Sequence, residues 1–82
     1  FTEKAQADLI YWKLKNQIKT QQRIQKLLEN ILINPYLGIG KPEPLRYELT
    51  GLWSRRINKE HRLLYRVKNN EVIEILSLRY HY

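Results

Sequence analysis

The sequence predicts an α+β fold, in which an N-terminal antiparallel helical hairpin packs on a mainly antiparallel β-sheet meander. Apolar residues recur at helical spacing in the first half of the chain and at a period of two in the second half. A stretch rich in glycine and proline, PYLGIGKPEP at residues 35–44, separates the two halves and indicates an irregular loop.

Two helices are predicted in the first half. Thr2 is suited to cap the first helix, and Thr20 is expected to cap the second. The second helix should end at Asn34-Pro35, because the residue before a proline is pushed out of the helical region. It carries the strongest periodic pattern, at Ile24, Leu27, Leu28, Ile31 and Leu32. The short link at 16–19 implies that the two helices run antiparallel.

Four strands are predicted in the second half, because the apolar residues there alternate and turn residues interrupt them. They are expected near Leu45–Leu49, Leu52–Ile57, Arg62–Val67 and Val72–Tyr80. The turns between them are expected at Thr50-Gly51, Asn58–Glu60 and Lys68–Asn70. Since each connection is short, strands that follow one another along the chain should pair as an antiparallel meander.

Alternation sorts the strand side chains into two faces of the sheet. The face expected to take the helices carries Leu45, Tyr47, Leu49, Trp53, Ile57, Leu63, Tyr65, Val67, Leu76, Leu78 and Tyr80. The opposite face gathers Arg46, Arg56, Arg62, Arg66 and Arg79, and His81 falls on the side of Arg79. An ordinary solvated face would also be polar, but such faces usually mix Lys, Glu, Thr and Ser. The planar fork of arginine suits phosphate groups.

Composition narrows the class of protein. The 82 residues fit one domain, 1–82, and the net charge of +7 favours a polyanionic partner. The absence of cysteine excludes disulfides and thiolate chemistry, and two histidines are too few for the usual structural zinc site. No apolar run is long enough for a membrane span and no signal peptide is visible, so a cytosolic protein without a membrane partner is expected.

A carboxylate and an imidazole accompany these arginines. Glu43 lies between two prolines that stiffen its backbone, and taken alone this motif favours a rigid connector with an exposed acid. Combined with Arg56, Arg62 and the near-terminal His81, it completes the set of groups needed to cleave RNA without a metal. A base removes the proton of the 2′-hydroxyl, an acid protonates the departing 5′-oxygen, and cations hold the charge that develops on phosphate.

Four motifs, together with the overall pattern of the chain, resemble the YoeB family of bacterial toxins, in the RelE superfamily. They are GKPEPLR, GLWSRRI, EHRL and RYHY. The resemblance implies a RelE-like fold of the microbial ribonuclease type, with a short strand before Phe1. It implies a cofactor-free, bacterial cytoplasmic endonuclease that cuts mRNA in the ribosomal A site and is neutralised by a cognate Phd/YefM-type antitoxin. It leaves a homodimer open.

The same resemblance assigns roles to individual residues. Glu43 corresponds to the general base, His81 to the general acid, and Arg62 to the group that stabilises the charge on phosphate. RNA-binding roles fall on Lys41, Arg46, Arg56 and Tyr82, and ribosome-binding roles on Lys13, Lys15 and Lys19. The remaining aromatic candidates, Trp12, Trp53 and His61, are expected to pack or to form structural hydrogen bonds.

Two other classes of function stay open. A ParE-type relative would share the fold but block a protein target such as DNA gyrase, and it would have no need of the Glu43–His81 pair. A simple nucleic-acid-binding module would use the positive charge and leave that pair unexplained. Parallel assays of translation and of gyrase supercoiling separate the three.

Overall fold

The computed structural model describes residues 1–69 and 72–81, which form two helices followed by a four-stranded sheet. The helices are α1 (Glu3–Leu14) and α2 (Ile18–Ile33). The strands are β1 (Glu43–Pro44), β2 (Trp53–Arg56), β3 (Arg62–Lys68) and β4 (Val72–Tyr80), with a 3-10 turn at Tyr47–Leu49. Neighbouring strands pair antiparallel in chain order, which confirms the predicted α+β meander. None of the helices described is long and apolar enough to cross a membrane.

The helix boundaries confirm the sequence prediction at two ends and correct it at one. Thr2 caps α1 by accepting a hydrogen bond from the Ala5 N–H, and Asn34 is the C-cap of α2. The prediction that Thr20 caps α2 is wrong, because the helix already begins at Ile18. Asn16 takes a left-handed conformation (φ 55°) that reverses the chain within the link, so the second helix starts earlier than its cap residues suggest.

The predicted strand Leu45–Leu49 is also wrong. The pairing with β2 involves Glu43 and Pro44, and it continues only through the Leu45 N–H, which donates to the Leu52 carbonyl at 2.9 Å. Tyr47 then adopts φ 57° and turns the chain into a 3-10 helix, which leaves its side chain 86% exposed instead of on the apolar face. The strand Val72–Tyr80 has its predicted bounds, whereas the predicted turn at Lys68–Asn70 lies partly outside the described residues.

The helices cover one face of the sheet and enclose the core. Its buried members are Ala5, Trp12, Ile24, Leu27, Ile31, Ile57, Leu63, Tyr65, Ile75 and Leu78. Three of the five predicted apolar residues of α2 are buried in this core and Leu28 packs against it, but Leu32 is 75% exposed. Ile57, just after β2, and Leu63 and Tyr65 of β3 have the predicted parity.

β4 departs from simple alternation. Tyr65 pairs with Ile75 but Arg62 pairs with Tyr80, so five steps along β4 match three along β3, and two register shifts lie between these pairs. Residues paired directly across two strands share a face, and Tyr80 therefore lies with Arg62. Arg79 instead stacks on the Tyr11 ring of α1, with its guanidinium carbon 3.5 Å from the ring centroid. The predicted faces of Tyr80 and Arg79 were thus both wrong, and so was that of Leu76, because its neighbour Ile75 pairs with Tyr65 and is buried in the core.

Side chains of α1 hold this irregular part of β4. The Asp8 carboxylate accepts hydrogen bonds from the Leu78 N–H (2.9 Å) and the Ser77 hydroxyl (3.1 Å), and the Trp12 indole donates to the Leu78 carbonyl (2.9 Å). A buried backbone group that leaves the regular ladder needs another partner, and α1 supplies it. α1 therefore stabilises the irregular part of β4.

Asp8 is expected to stabilise the fold in its ionised form. Burial opposes ionisation, but hydrogen bonds from Lys4, Leu78 and Ser77 outweigh it and hold the pKa below its ordinary value of 3.8. A depressed pKa contributes stability above pH ~4 that is lost as the pH falls through the folded-state value. Asp8→Asn should lower the free energy of unfolding by about 2 kcal/mol at neutral pH.

Urea unfolding measured between neutral pH and pH 3 checks this. The difference between wild type and Asp8→Asn should narrow below pH ~4, because the wild-type carboxylate then becomes protonated. Glu29→Gln, on the exposed surface of α2, is the control and should change stability little at neutral pH. A difference that stays constant over the whole range would show that the charge of Asp8 has no role.

Candidate active site

One end of the sheet carries a row of cationic and aromatic residues. In an antiparallel meander β2 and β4 end where β1 and β3 begin, so these four termini meet at one end. There Arg56 of β2 pairs with Arg62 of β3, which pairs with Tyr80 of β4. Directly paired residues share a face. Two of the predicted phosphate-binding arginines are therefore side by side.

Glu43 lies at the same end of the sheet, on β1. It pairs with Ser54 of β2, and the preceding Gly40 carbonyl accepts a hydrogen bond from the Arg56 N–H at 2.7 Å. Lys41 follows Gly40 in the chain, so it lies close to Arg56, and it is exposed. Glu43 is itself exposed, as an acid that meets a substrate must be.

Glu43 and Tyr80 line a common cavity of about 310 Å³, which we call the cleft. Its lining is completed by Pro44, Leu45, Arg46, Tyr47 and Leu49. The structure thus brings together the predicted base, the predicted RNA-binding Arg46 and an aromatic ring that the sequence had placed on the other face. A volume of this order is typical of small-ligand sites.

His81 directly follows the Arg56–Arg62–Tyr80 row. It is exposed, and its Nδ1 lies 2.7 Å from the Glu60 carbonyl. Because a carbonyl can only accept, this contact places a proton on Nδ1 and leaves Nε2 as the atom available for proton exchange. The ring of His61 stands between those of Trp12 and His81, at centroid distances of 5.1 and 6.2 Å.

Arg62 is held against the same turn. Its Nη1 donates to the carbonyls of Asn58 (3.1 Å), Lys59 (3.5 Å) and His61 (3.4 Å). The β2–β3 turn therefore positions both Arg62 and His81, although the two residues are far apart in sequence. Among residues 1–69 and 72–81, no group of three or more His, Asp or Glu is arranged to hold a metal ion.

Arg55 is a structural residue of the site that the sequence reasoning missed. It is fully buried, and all five of its N–H groups donate hydrogen bonds. The acceptors are the Tyr65 hydroxyl (3.2 Å), Asn30 Oδ1 (2.5 Å) and the carbonyls of Ile39 (3.1 Å), Asn34 (2.6 Å) and Leu37 (3.2 Å). The Tyr65 hydroxyl in turn donates to the Pro35 carbonyl. In the sequence Arg55 alternates with Trp53 and Ile57. This alternation was the signal that could have placed its side chain on the core face of the sheet.

These bonds hold the loop 34–40 against β2. The loop precedes β1 in the chain. Two glycines permit the close approach. A Cβ on Gly38 (φ 131°) would lie 1.9 Å from Asn30 Oδ1, and one on Gly40 (φ 81°) would lie 2.7 Å from Leu27 Cδ2. Glycine is therefore required by packing at both positions. The loop so fixed leads directly to Glu43.

The other predicted site residues lie away from the row or outside the described part of the chain. Lys13, Lys15 and Lys19 are all exposed around the turn between the two helices, in the last turn of α1, at its C-cap and in the first turn of α2. Tyr82 lies outside the described residues.

Comparison with known proteins identifies the family. A family profile described as "YoeB-like toxin of bacterial type II toxin-antitoxin system" matches residues 1–82. Toxin YoeB of Mycobacterium bovis is 50% identical over 82 residues, covering 100% of this chain and 94% of that protein. Toxin YoeB of Synechocystis sp. is 46% identical, covering 100% of this chain and 93% of that protein.

Solved structures agree with this result. The YoeB/ParE toxin from Agrobacterium tumefaciens has a TM-score of 0.92 at 36% identity, covering 99% of this chain and 94% of that one. The YoeB dimer from Staphylococcus aureus has a TM-score of 0.89 at 46% identity, with 100% and 93% covered. The heterotetrameric YoeB-YefM complex from the same organism has 0.88 at 47%, with 100% and 93% covered. Since sequence and fold match over 99–100% of the chain, it belongs to the YoeB-like toxins of bacterial type II toxin–antitoxin systems.

Proposed function

We propose that this toxin is an endoribonuclease that cleaves mRNA in the ribosomal A site, in the bacterial cytoplasm, by general acid–base catalysis without a metal or cofactor. One observation carries the proposal. The meander brings four strand ends together at one end of the sheet. Each of them carries one of the proposed site residues, which are Glu43, Arg56, Arg62 and His81. A toxin that only blocked a protein target would have no need of this convergence.

In the proposed mechanism Glu43 removes the proton from a ribose 2′-hydroxyl, and the oxygen attacks the adjacent phosphorus. The P–O5′ bond breaks as His81 donates the Nε2 proton to the departing 5′-oxygen. The Nδ1 contact with the Glu60 carbonyl supports this assignment, because it keeps one ring N–H occupied and orients the other nitrogen for transfer. The imidazole then returns to neutrality, and the products carry a 2′,3′-cyclic phosphate and a 5′-hydroxyl.

Arginine provides the electrostatic part of the mechanism. The phosphorane-like transition state carries more charge on its nonbridging oxygens than the substrate does, and preorganised cations stabilise that increase. Arg62 is suited to this role because the carbonyls of the β2–β3 turn hold its guanidinium in place. Arg56, Arg46 and Lys41 would bind neighbouring phosphates, and Tyr82 would also contact RNA.

The proposed partners follow from charge and from the relatives. Lys13, Lys15 and Lys19 would bind ribosomal RNA phosphates without reading sequence. A Phd/YefM-type antitoxin would cover the arginine-bearing face with an acidic and apolar segment that orders on binding. Solved YoeB-YefM complexes of Staphylococcus aureus support an antitoxin of this type, and the YoeB dimer from that organism supports a homodimer.

The decisive experiment replaces the scissile nucleotide of an A-site codon by its 2′-deoxy analogue on intact ribosomes. Cleavage should be abolished, because DNA lacks the attacking hydroxyl. The ribo substrate should give an upstream 2′,3′-cyclic phosphate and a downstream 5′-hydroxyl, identified by end-labelling and mass spectrometry. The control is an mRNA that carries the deoxy nucleotide one codon downstream, and its A-site codon should be cut normally. Efficient cutting at the deoxy position, or a 5′-phosphate product, would contradict the mechanism.

Inhibition of DNA gyrase is the alternative, since the Agrobacterium tumefaciens structure is described as a YoeB/ParE toxin. A supercoiling assay at the concentration that stops translation separates the two. Inhibited gyrase together with intact mRNA would favour the alternative.

A further inference from the structure

Tyr47 is held in an unfavourable conformation and yet contributes little to the fold. Its backbone is left-handed (φ 57°), a region that residues other than glycine and asparagine seldom occupy. The conformation is kept by the 3-10 turn, in which the N–H and the hydroxyl of Thr50 both donate to the Tyr47 carbonyl, at 3.1 and 2.7 Å. The Tyr47 side chain is 86% exposed, so its ring gains almost no burial in return.

The position of this ring is informative. Tyr47 lines the cleft together with Glu43, Arg46 and Tyr80. Tyr80 lies in the row with Arg62, so the cleft continues into the proposed phosphate-binding arginines. An exposed aromatic ring thus stands beside a carboxylate and cations at the place where a nucleic acid strand would pass.

We propose that Tyr47 is a stacking platform for a nucleobase of the bound RNA, a base subsite next to the phosphate site. This rests on the proposed function, since it specifies how the cleft holds its substrate. Single-stranded nucleic acid is bound where cations follow the backbone and aromatic rings stack against the bases. Strained backbone conformations concentrate at such functional positions, because the surrounding structure has to hold the side chain where the ligand needs it.

Stacking and a purely structural role predict opposite results for Tyr47→Asn. Asparagine tolerates the left-handed region, so this variant should unfold at the same temperature as wild type or higher. Loss of one base stack should raise the KM for cleavage of ribosome-bound mRNA between about 5-fold and about 150-fold, with a smaller change in kcat. Tyr47→Phe keeps the ring and should recover most of the lost affinity. Leu14→Asn, which removes another exposed apolar side chain at the end of α1, is the matched control.

A direct probe is RNA that carries 2-aminopurine, whose fluorescence falls when it stacks on an aromatic ring. The inactive double variant Glu43→Gln/His81→Gln is mixed with ribosomes programmed with this base at each position of the A-site codon in turn, and in parallel with a free single-stranded trinucleotide. Quenching should appear at one codon position and disappear when Tyr47→Asn is added to the inactive variant.

The outcomes separate this proposal from the proposed function. If wild type cleaves mRNA but Tyr47→Asn has an unchanged KM and unchanged quenching, the base subsite is wrong and the nuclease assignment stands. A loss of thermal stability in Tyr47→Asn with wild-type KM would also overturn it, since the ring would then serve the fold. If wild type cleaves nothing on ribosomes, the proposed function is wrong, and the free trinucleotide tests the base subsite by itself. Quenching that is lost with Tyr47→Asn supports the subsite. Equal quenching with and without Tyr47→Asn overturns it.

Discussion

Glu43→Gln and His81→Gln are each expected to slow cleavage of ribosome-bound mRNA by about 10²–10⁴-fold, the usual contribution of a general acid or base. Glutamine is close in size to both side chains but can neither accept the 2′-hydroxyl proton nor supply the leaving-group proton. Both positions are exposed in the structure, so the substitutions should leave the core intact. Single-turnover rates on programmed ribosomes measure the effect.

Two controls make this result specific. Glu29→Gln removes one carboxylate from the exposed surface of α2 and should cleave at the wild-type rate, which excludes a general effect of charge. Cosedimentation with ribosomes should show unchanged binding for Glu43→Gln and His81→Gln. Full activity of either variant would remove that residue from the mechanism and leave the role of the other intact.

Arg55→Met is expected to lower the free energy of unfolding by about 3 kcal/mol or more, because five acceptors lose their donor and each unsatisfied buried group costs about 1–3 kcal/mol. Three of these acceptors are carbonyls of the loop 34–40, so the loop should detach from β2. Urea denaturation measures the loss. Arg55→Lys should recover only part of it, since an ammonium offers three donors from a single point.

Arg66→Met is the matched control for this prediction. The guanidinium of Arg66 pairs with Glu74 at 2.5 Å on the exposed surface of the sheet, and such pairs are worth about 1 kcal/mol or less. Where Arg55→Met fails to fold, Tyr65→Phe tests the same network more gently, because it removes only the hydroxyl that joins Arg55 to the Pro35 carbonyl. If Arg55→Met were no less stable than Arg66→Met, the loop would be held by something other than this clamp.

The sequence predicted the fold correctly where the structure of a segment depends on its own residues. This is the case for the apolar spacing in α2, the proline after Asn34 and the regular part of the meander. The prediction of a strand at Leu45–Leu49 was wrong although its apolar residues alternate. Pairing with β2 involves Glu43 and Pro44, and the left-handed backbone of Tyr47 turns the chain away from the sheet. A short strand before Phe1 and the single domain 1–82 stay predictions, as do the roles of the site residues.

The family, the order of the elements and the candidate residues for chemistry could be read from the amino-acid sequence, because motifs and periodicity are local properties of the chain. Which of these residues meet depends on how the helices and strands pack. The register shifts in β4, where Asp8 and Trp12 of α1 bind the backbone of Leu78, place Leu78 in the core together with Ile75. Beyond them Tyr80 pairs with Arg62, and Arg79 stacks on Tyr11. Arg55 is buried because Asn30 of α2, Tyr65 and the loop 34–40 together present acceptors to all of its N–H groups. Alternation carries no information on either event, since a register shift and a buried hydrogen-bond network both depend on a second element packed across the chain.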